Sequence, residues 1–206
     1  MFIHRGLLNK NLRENHISAF KECIKNDYNI ETDIHFSKNN TAVCFHDYNL
    51  KRLLNIKKKI KNISDQELIR YNITKLEELL NIVKPKTKIL IEIKPLLNQI
   101  TLEKIKKIYL KHSKNISFIS FIEKNLLKLK KNIKDVRLGL IFKNNCKSSD
   151  IEKKLNKKYI NFLVLPKNFE KINKINKIKK KKFFYTIKNV NFRNIKKNYI
   201  LENLIV

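Results

Sequence analysis

Apolar positions along this 206-residue chain form two kinds of segment in alternation. Short blocks rich in Ile, Val, Leu and Phe fall near residues 1–4, 29–35, 88–94, 116–121, 136–142, 161–165, 182–187 and 200–206. Between them lie longer stretches in which apolar residues recur every three or four positions. Ile17, Phe20, Cys23 and Ile24 make one such stripe, and Leu102, Ile105, Ile108 and Tyr109 make another. This alternation predicts parallel strands joined by crossover helices, and eight strands is the number that closes an α/β (β/α)₈ barrel of the TIM type. Such barrels take about 250 residues, so a single domain spanning residues 1–206 implies trimmed loops. The sequence given stops at Leu204-Ile205-Val206, inside the eighth strand, and on this reading the last outer helix is missing.

The alternation is interrupted twice. Ser37 to Asn40 reads as a turn, with Asn39 and Asn40 tolerating left-handed backbone, and Thr41 to Phe45 reads as an added strand that delivers His46 and Asp47. Residues 50–74 are basic, carry few strong strand or helix signals, and form an excursion before a helix near 75–83.

Charge changes the picture less than its size suggests. A net charge of +29 invites a polyanion-binding reading, but 41 of the 47 basic residues are Lys, spread over the whole chain. Bidentate recognition of phosphates and base edges favours Arg, so solvated Lys faces are the expectation and nucleic acid is not an expected partner. Cys23, Cys44 and Cys146 are odd in number and far apart, which predicts buried free thiols rather than disulfides or a zinc site. The amino terminus has no apolar signal segment and no run approaches the ~18 apolar residues of a membrane span, so a cytoplasmic protein is expected.

Carboxylates are scarce, 18 in all, which makes their positions informative. Glu31 and Asp33 sit two apart in a strand that is otherwise apolar, so both side chains point into one space. Two such carboxylates repel unless a proton or a cation intervenes, and oxygen donors suit a hard cation such as Ca²⁺ or Mg²⁺. Glu92 and Lys94 repeat the spacing late in the next barrel strand; a third ligand and a structural ion pair are both open there. His4 and Arg5 end the first strand and His46 ends the added one, which puts two imidazoles near one mouth, where proton transfer to and from oxygen is feasible.

The ordered set His4-Arg5-Gly6, Glu14-Asn15, Glu31-Thr32-Asp33, His46-Asp47 and Glu92-Ile93-Lys94 resembles the glycerophosphodiester phosphodiesterase family. Farther on, Ser120-Phe121 is similar to the SF that ends one family strand, and Tyr185-Thr186-Ile187 to its late WTV, with Tyr185 in the tryptophan position. The resemblance implies a hydrolase that splits glycerophosphodiesters to glycerol 3-phosphate and an alcohol, in glycerol and lipid metabolism. It implies Ca²⁺ or Mg²⁺ on Glu31, Asp33 and Glu92, His4 and His46 as acid–base pair, and Arg5 and Lys94 as phosphate-binding cations. Which His donates, whether water or a glycerol hydroxyl attacks, and whether Asp47 orients His46 or shapes the turn are left open.

Three other readings compete. A lysophospholipase D-type enzyme acting on lipid headgroups shares every residue above; an exposed apolar rim would favour it, and a basic surface would assist contact with an anionic membrane. A non-catalytic polyanion-binding protein would use Lys57 to Lys59 and Lys179 to Lys182 beside Phe183, Phe184 and Tyr185. That requires lysines gathered on one face, and Phe183 to Ile187 reads better as a buried strand. An inactive barrel is the third, set against the presence of every proposed ligand and histidine.

Overall fold

The structure, a computed structural model, describes residues 1–8, 11–188 and 198–202. Among the described residues nine strands run as β1 (Phe2–His4), β2 (Asn29–Phe36), β3 (Ala42–Cys44), β4 (Ile89–Ile93), β5 (Ile116–Ser120), β6 (Leu138–Ile141), β7 (Phe162–Pro166), β8 (Lys181–Ile187) and β9 (Tyr199–Leu201). All but β3 pair in parallel, and β1 bonds both β2 and β9, which closes eight strands into a barrel. The α-helices among the described residues are α1 (Ile17–Lys25), α2 (Lys51–Leu54), α3 (Asp65–Arg70), α4 (Leu76–Ile82), α5 (Gln99–His112), α6 (Glu123–Asn132), α7 (Ser148–Leu155) and α8 (Asn173–Asn176). Each of the eight segments expected as barrel strands forms one; the end of the last, residues 203–206, and whatever follows it lie outside the described residues.

The period of two along each strand sorts residues into two cores. Ile3, Ile30, Ile34, Ile89, Ile91, Ile93 and Phe118 face outward and pack beneath the amphipathic helices with Phe20, Cys23, Leu102, Ile105 and Leu126. Phe2, Leu90, Ile119, Ile141, Phe162, Val164, Phe183 and Ile200 face inward and fill the barrel. One alternation step further towards the carboxyl-terminal end, the inward positions become His4, Glu92, Phe121, Tyr185 and Glu202, all of which line one pocket. The same alternation thus builds both the filled floor and the mouth.

The chain has only two glycines, and both stand where a side chain would collide. Gly139 lies against Phe162, whose ring would come within 2.2 Å of an added Cβ. Gly6 has φ +90° and meets Ala19 Cβ at 2.8 Å, which lets α1 approach the end of β1.

The added strand β3 pairs antiparallel with β2 after a turn in which Asn40 (φ 58°) donates to the Ser37 carbonyl. Residues 50–74, expected to carry few helix signals, form α2, a 3₁₀ turn at Ile60–Asn62 and α3. They close a small core of their own, Leu50, Ile60, Ile63, Leu68 and Ile73 packed with Val43 and Phe45. Cys23 and Cys44 are buried thiols as expected, whereas Cys146 is only half-buried. No helix among the described residues is long and apolar enough to cross a membrane.

Candidate active site

Glu31 and Asp33 on β2 and Glu92 on β4 meet at the carboxyl-terminal end of the barrel. The strand register sets Asp33 beside Glu92, and one oxygen from each of the three carboxylates lies within 4.8 Å of the others. All three are buried. Lys94 from the end of β4 lies 2.9 Å from Glu92 Oε1 and 3.4 Å from Asp33 Oδ1. The Arg5 guanidinium lies 3.2 Å from Asp33 Oδ2 and 3.1 Å from Glu14 Oε1. Arg5 adopts left-handed backbone (φ 61°), its N–H bonding the Glu31 carbonyl at 2.9 Å.

Burial, followed by the charges of Asp33 and Glu92, pushes the Glu31 carboxyl well above the ordinary range. Burial and then Asp33 push Glu92 up to about 7. Burial also acts against Asp33, but Lys94 and Arg5 outweigh it and hold that group at about 2. Three carboxylates facing two cations therefore leave surplus negative charge that only protons or a further cation can relieve. The residues fit a hard divalent cation: the donors are all oxygen, and the buried Asp33 Oδ1 has no hydrogen-bond donor.

The two histidines flank this cluster. His4 Nε2 lies 3.8 Å from Glu31 and Nδ1 4.0 Å from Glu202. Burial and the neighbouring Arg5 lower its pKa to about 4, so it is neutral at physiological pH. His46 Nδ1 lies 2.6 Å from Asp47 Oδ1, which leaves Nε2 available to the pocket. Asp47 in turn accepts from Arg52 Nε at 2.6 Å, and Arg52 donates to both oxygens of Glu14. A chain of hydrogen bonds and ion pairs therefore runs His46–Asp47–Arg52–Glu14–Arg5–Asp33. Of the two roles open for Asp47, the geometry supports orientation of His46.

All seven residues singled out in the sequence converge here, six of them lining a pocket of about 200 Å³ and Asp33 lying beneath it. Others carried no such assignment. Asn15, buried and left-handed (φ 55°), donates to Asp33 Oδ2 at 3.1 Å and accepts from the Thr32 hydroxyl at 2.8 Å, fixing the Asp33 carboxylate on β2. Its position before α1 was the available signal. Arg52 and Glu202 had none, because their partners are distant in sequence or lie at the far end of the barrel. The opposite wall is apolar, built from Ile119, Phe121, Ile141, Val164, Tyr185 and Ile200.

A (β/α)₈ barrel with three clustered carboxylates, flanking cations and two imidazoles at its carboxyl-terminal mouth is the equipment of a hydrolase acting on an anionic ester. The sequence profile of the Glycerophosphoryl diester phosphodiesterase family matches residues 4–199, and the chain belongs to that family. It is a phosphoric diester hydrolase of glycerophosphodiesters. Among solved structures, a glycerophosphodiester phosphodiesterase from Thermotoga maritima is 24% identical with a TM-score of 0.76, covering 98% of this chain and 92% of its own. A phosphodiesterase from Oleispira antarctica, solved with sn-glycerol-3-phosphate, is 18% identical with a TM-score of 0.81 and the same coverage. A glycerophosphodiester phosphodiesterase from Agrobacterium tumefaciens is 16% identical, TM-score 0.76, covering 98% and 94%. At these identities the likeness concerns the fold. A comparison with curated proteins finds no match.

Proposed function

We propose that residues 1–206 work as one catalytic domain in which Glu31, Asp33 and Glu92 hold a Mg²⁺ or Ca²⁺ ion, His4 and His46 transfer protons, and Arg5 and Lys94 bind phosphate. The observation that carries this reading is the buried cluster of three carboxylates with an oxygen that accepts no hydrogen bond, at a pocket lined by both His4 and His46. When bound, the cation would offset charge gathering on the phosphoryl oxygens. Lys94 and Arg5 add fixed positive charge at the same end, in a site where little water dilutes it. His46, held by Asp47 through Nδ1, presents Nε2 for proton exchange with one oxygen of the diester. His4, neutral and on the neighbouring side of the cluster, serves the other. Asn15 and the Arg52–Glu14 pair keep these groups in place.

The product in the Oleispira enzyme supports glycerol 3-phosphate as the product here, with the alcohol leaving. Release of glycerol 3-phosphate from glycerophosphocholine and glycerophosphoethanolamine, measured with Mg²⁺, Ca²⁺ or chelator, tests the reading. Cation-dependent release that His46→Ala abolishes is expected. Equal release in chelator, or undiminished release by the variant, would reject the assigned roles.

A further inference from the structure

His35 is a buried side chain that the reaction above does not use, and it does not line the pocket. It stands on β2 two residues beyond Asp33, so the period of two brings it to the same face as Glu31 and Asp33. Its Nε2 lies 3.1 Å from the His46 carbonyl oxygen. A carbonyl oxygen can only accept, so Nε2 carries the proton and donates it to this bond. The Tyr48 ring stands edge-on to the imidazole, 4.7 Å between centroids at 76°. Tyr48 is itself fixed at two points: its hydroxyl donates to the Lys94 carbonyl at 3.0 Å, and its own carbonyl accepts from the Ile60 N–H at 3.0 Å.

These contacts matter because His46 lies past the end of β3. The Phe45 N–H bonds the Asp33 carbonyl at 3.0 Å, and among the described residues no main-chain bond joins the segment to β2 beyond that point. No main-chain N–H among the described residues reaches the His46 carbonyl either; its partner is the His35 side chain. Asp47, bonded to Nδ1, sets how the His46 ring is turned, but Asp47 is the next residue and its partner Arg52 follows on the same segment. Neither ties that segment to β2. His35 does so: the strand that carries Glu31 and Asp33 thereby also places the main chain of His46, through one hydrogen bond. Proton transfer requires placement to within about 0.5 Å, and a displacement of ~1 Å costs on the order of 100-fold.

We propose that His35 is a positioning residue for His46: its Nε2–H holds the His46 carbonyl, Tyr48 covers the imidazole, and together they set the distance from the His46 ring to the carboxylate cluster. This role rests on the reading of His46 as a proton-transfer group and adds to it the strand-borne contact that fixes its main chain. An apolar side chain of similar size fills the same space but removes the donor from the His46 carbonyl. Gln keeps a donor, because its amide nitrogen reaches about as far from the backbone as Nε2, whereas the amide of Asn falls one atom short.

The test is a double-mutant cycle on the whole chain with Mg²⁺ and glycerophosphocholine, reading kcat, KM and, by calorimetry, Mg²⁺ affinity. His35→Leu and His35→Gln are each made alone and together with His46→Ala. His35→Leu is expected to lower kcat about 10–100-fold with KM and Mg²⁺ affinity unchanged, and His35→Gln to keep most of the activity. With His46→Ala present, His35→Leu should cost nothing further, because the group it positions is gone. Should His35→Leu not fold, His35→Asn takes its place in the cycle with the same expectations. Undiminished kcat in His35→Leu, an equal loss with and without His46, an accompanying loss of Mg²⁺ affinity, or a His35→Gln chain as impaired as His35→Leu would overturn the role. Undiminished kcat in His46→Ala alone would instead sink the acid–base reading of His46, and the role of His35 with it.

Discussion

The two halves of the barrel mouth are built by one rule and filled with opposite chemistry. On β1, β2 and β4 the inward positions carry His4, Glu31, Asp33, Glu92 and Lys94; on β5 to β9 they carry Ile119, Ile141, Val164, Tyr185 and Ile200. The charged half holds surplus negative charge in a buried space, an arrangement that costs stability and persists where function requires it. The apolar half is ordinary core that happens to open onto the pocket. Substitutions in the first should therefore change turnover with little effect on folding, and substitutions in the second the reverse.

The largest difference is expected at His46. His46→Ala should lower kcat by about 10²–10⁴-fold, the usual contribution of a positioned acid or base, with an unchanged melting temperature by calorimetry. Arg52→Ala acts at one remove, by freeing Asp47, and should cost about 10–100-fold in kcat; Arg52→Lys should restore only part, because a single ammonium cannot span Asp47 and both oxygens of Glu14. On the apolar side, Ile141→Val should leave kcat intact and cost about 0.5–1.5 kcal/mol in denaturant unfolding. Equal loss of kcat there would erase the distinction between the halves.

The smallest effect is a pH dependence. Glu92, raised to about 7 by burial and Asp33, favours the cation-free fold when protonated. That contribution is full below the pKa of a free Glu and disappears as pH rises through about 7. A cation must displace the same proton, so the rise in melting temperature on adding Mg²⁺ should be larger at pH 8 than at pH 5.5. A rise independent of pH would place the cation elsewhere.

Much of this was legible in the sequence because the inward-facing positions repeat every second residue. Glu31 and Asp33 stand out inside an Ile-rich strand, so their convergence followed from strand geometry, whereas Glu92, which interrupts another strand, was equally readable as an ion pair with Lys94. His4 and His46 were visible as strand-end histidines, and the ordered motifs suggested the roles proposed for them. What stayed hidden depends on contacts between distant segments. The Arg52–Glu14 pair spans 38 residues and forms only because α2 folds back over the mouth. The helices of residues 50–74 were obscure because they are short: α2 buries no residue fully and α3 buries only Leu68, too little for a helical period to appear. Exposure was equally illegible, since an exposed Leu96 and a buried Leu97 look alike in a sequence.

The most direct test of the charged half is a calorimetric titration of the chain with Mg²⁺ at pH 8, repeated on Glu31→Gln, which keeps the size of the side chain and removes its charge. One cation per wild-type chain, with proton release that grows as pH is lowered towards 7, and no measurable binding by the variant, is the predicted result. Equal affinity and stoichiometry in the two proteins would contradict a cation held by Glu31, Asp33 and Glu92.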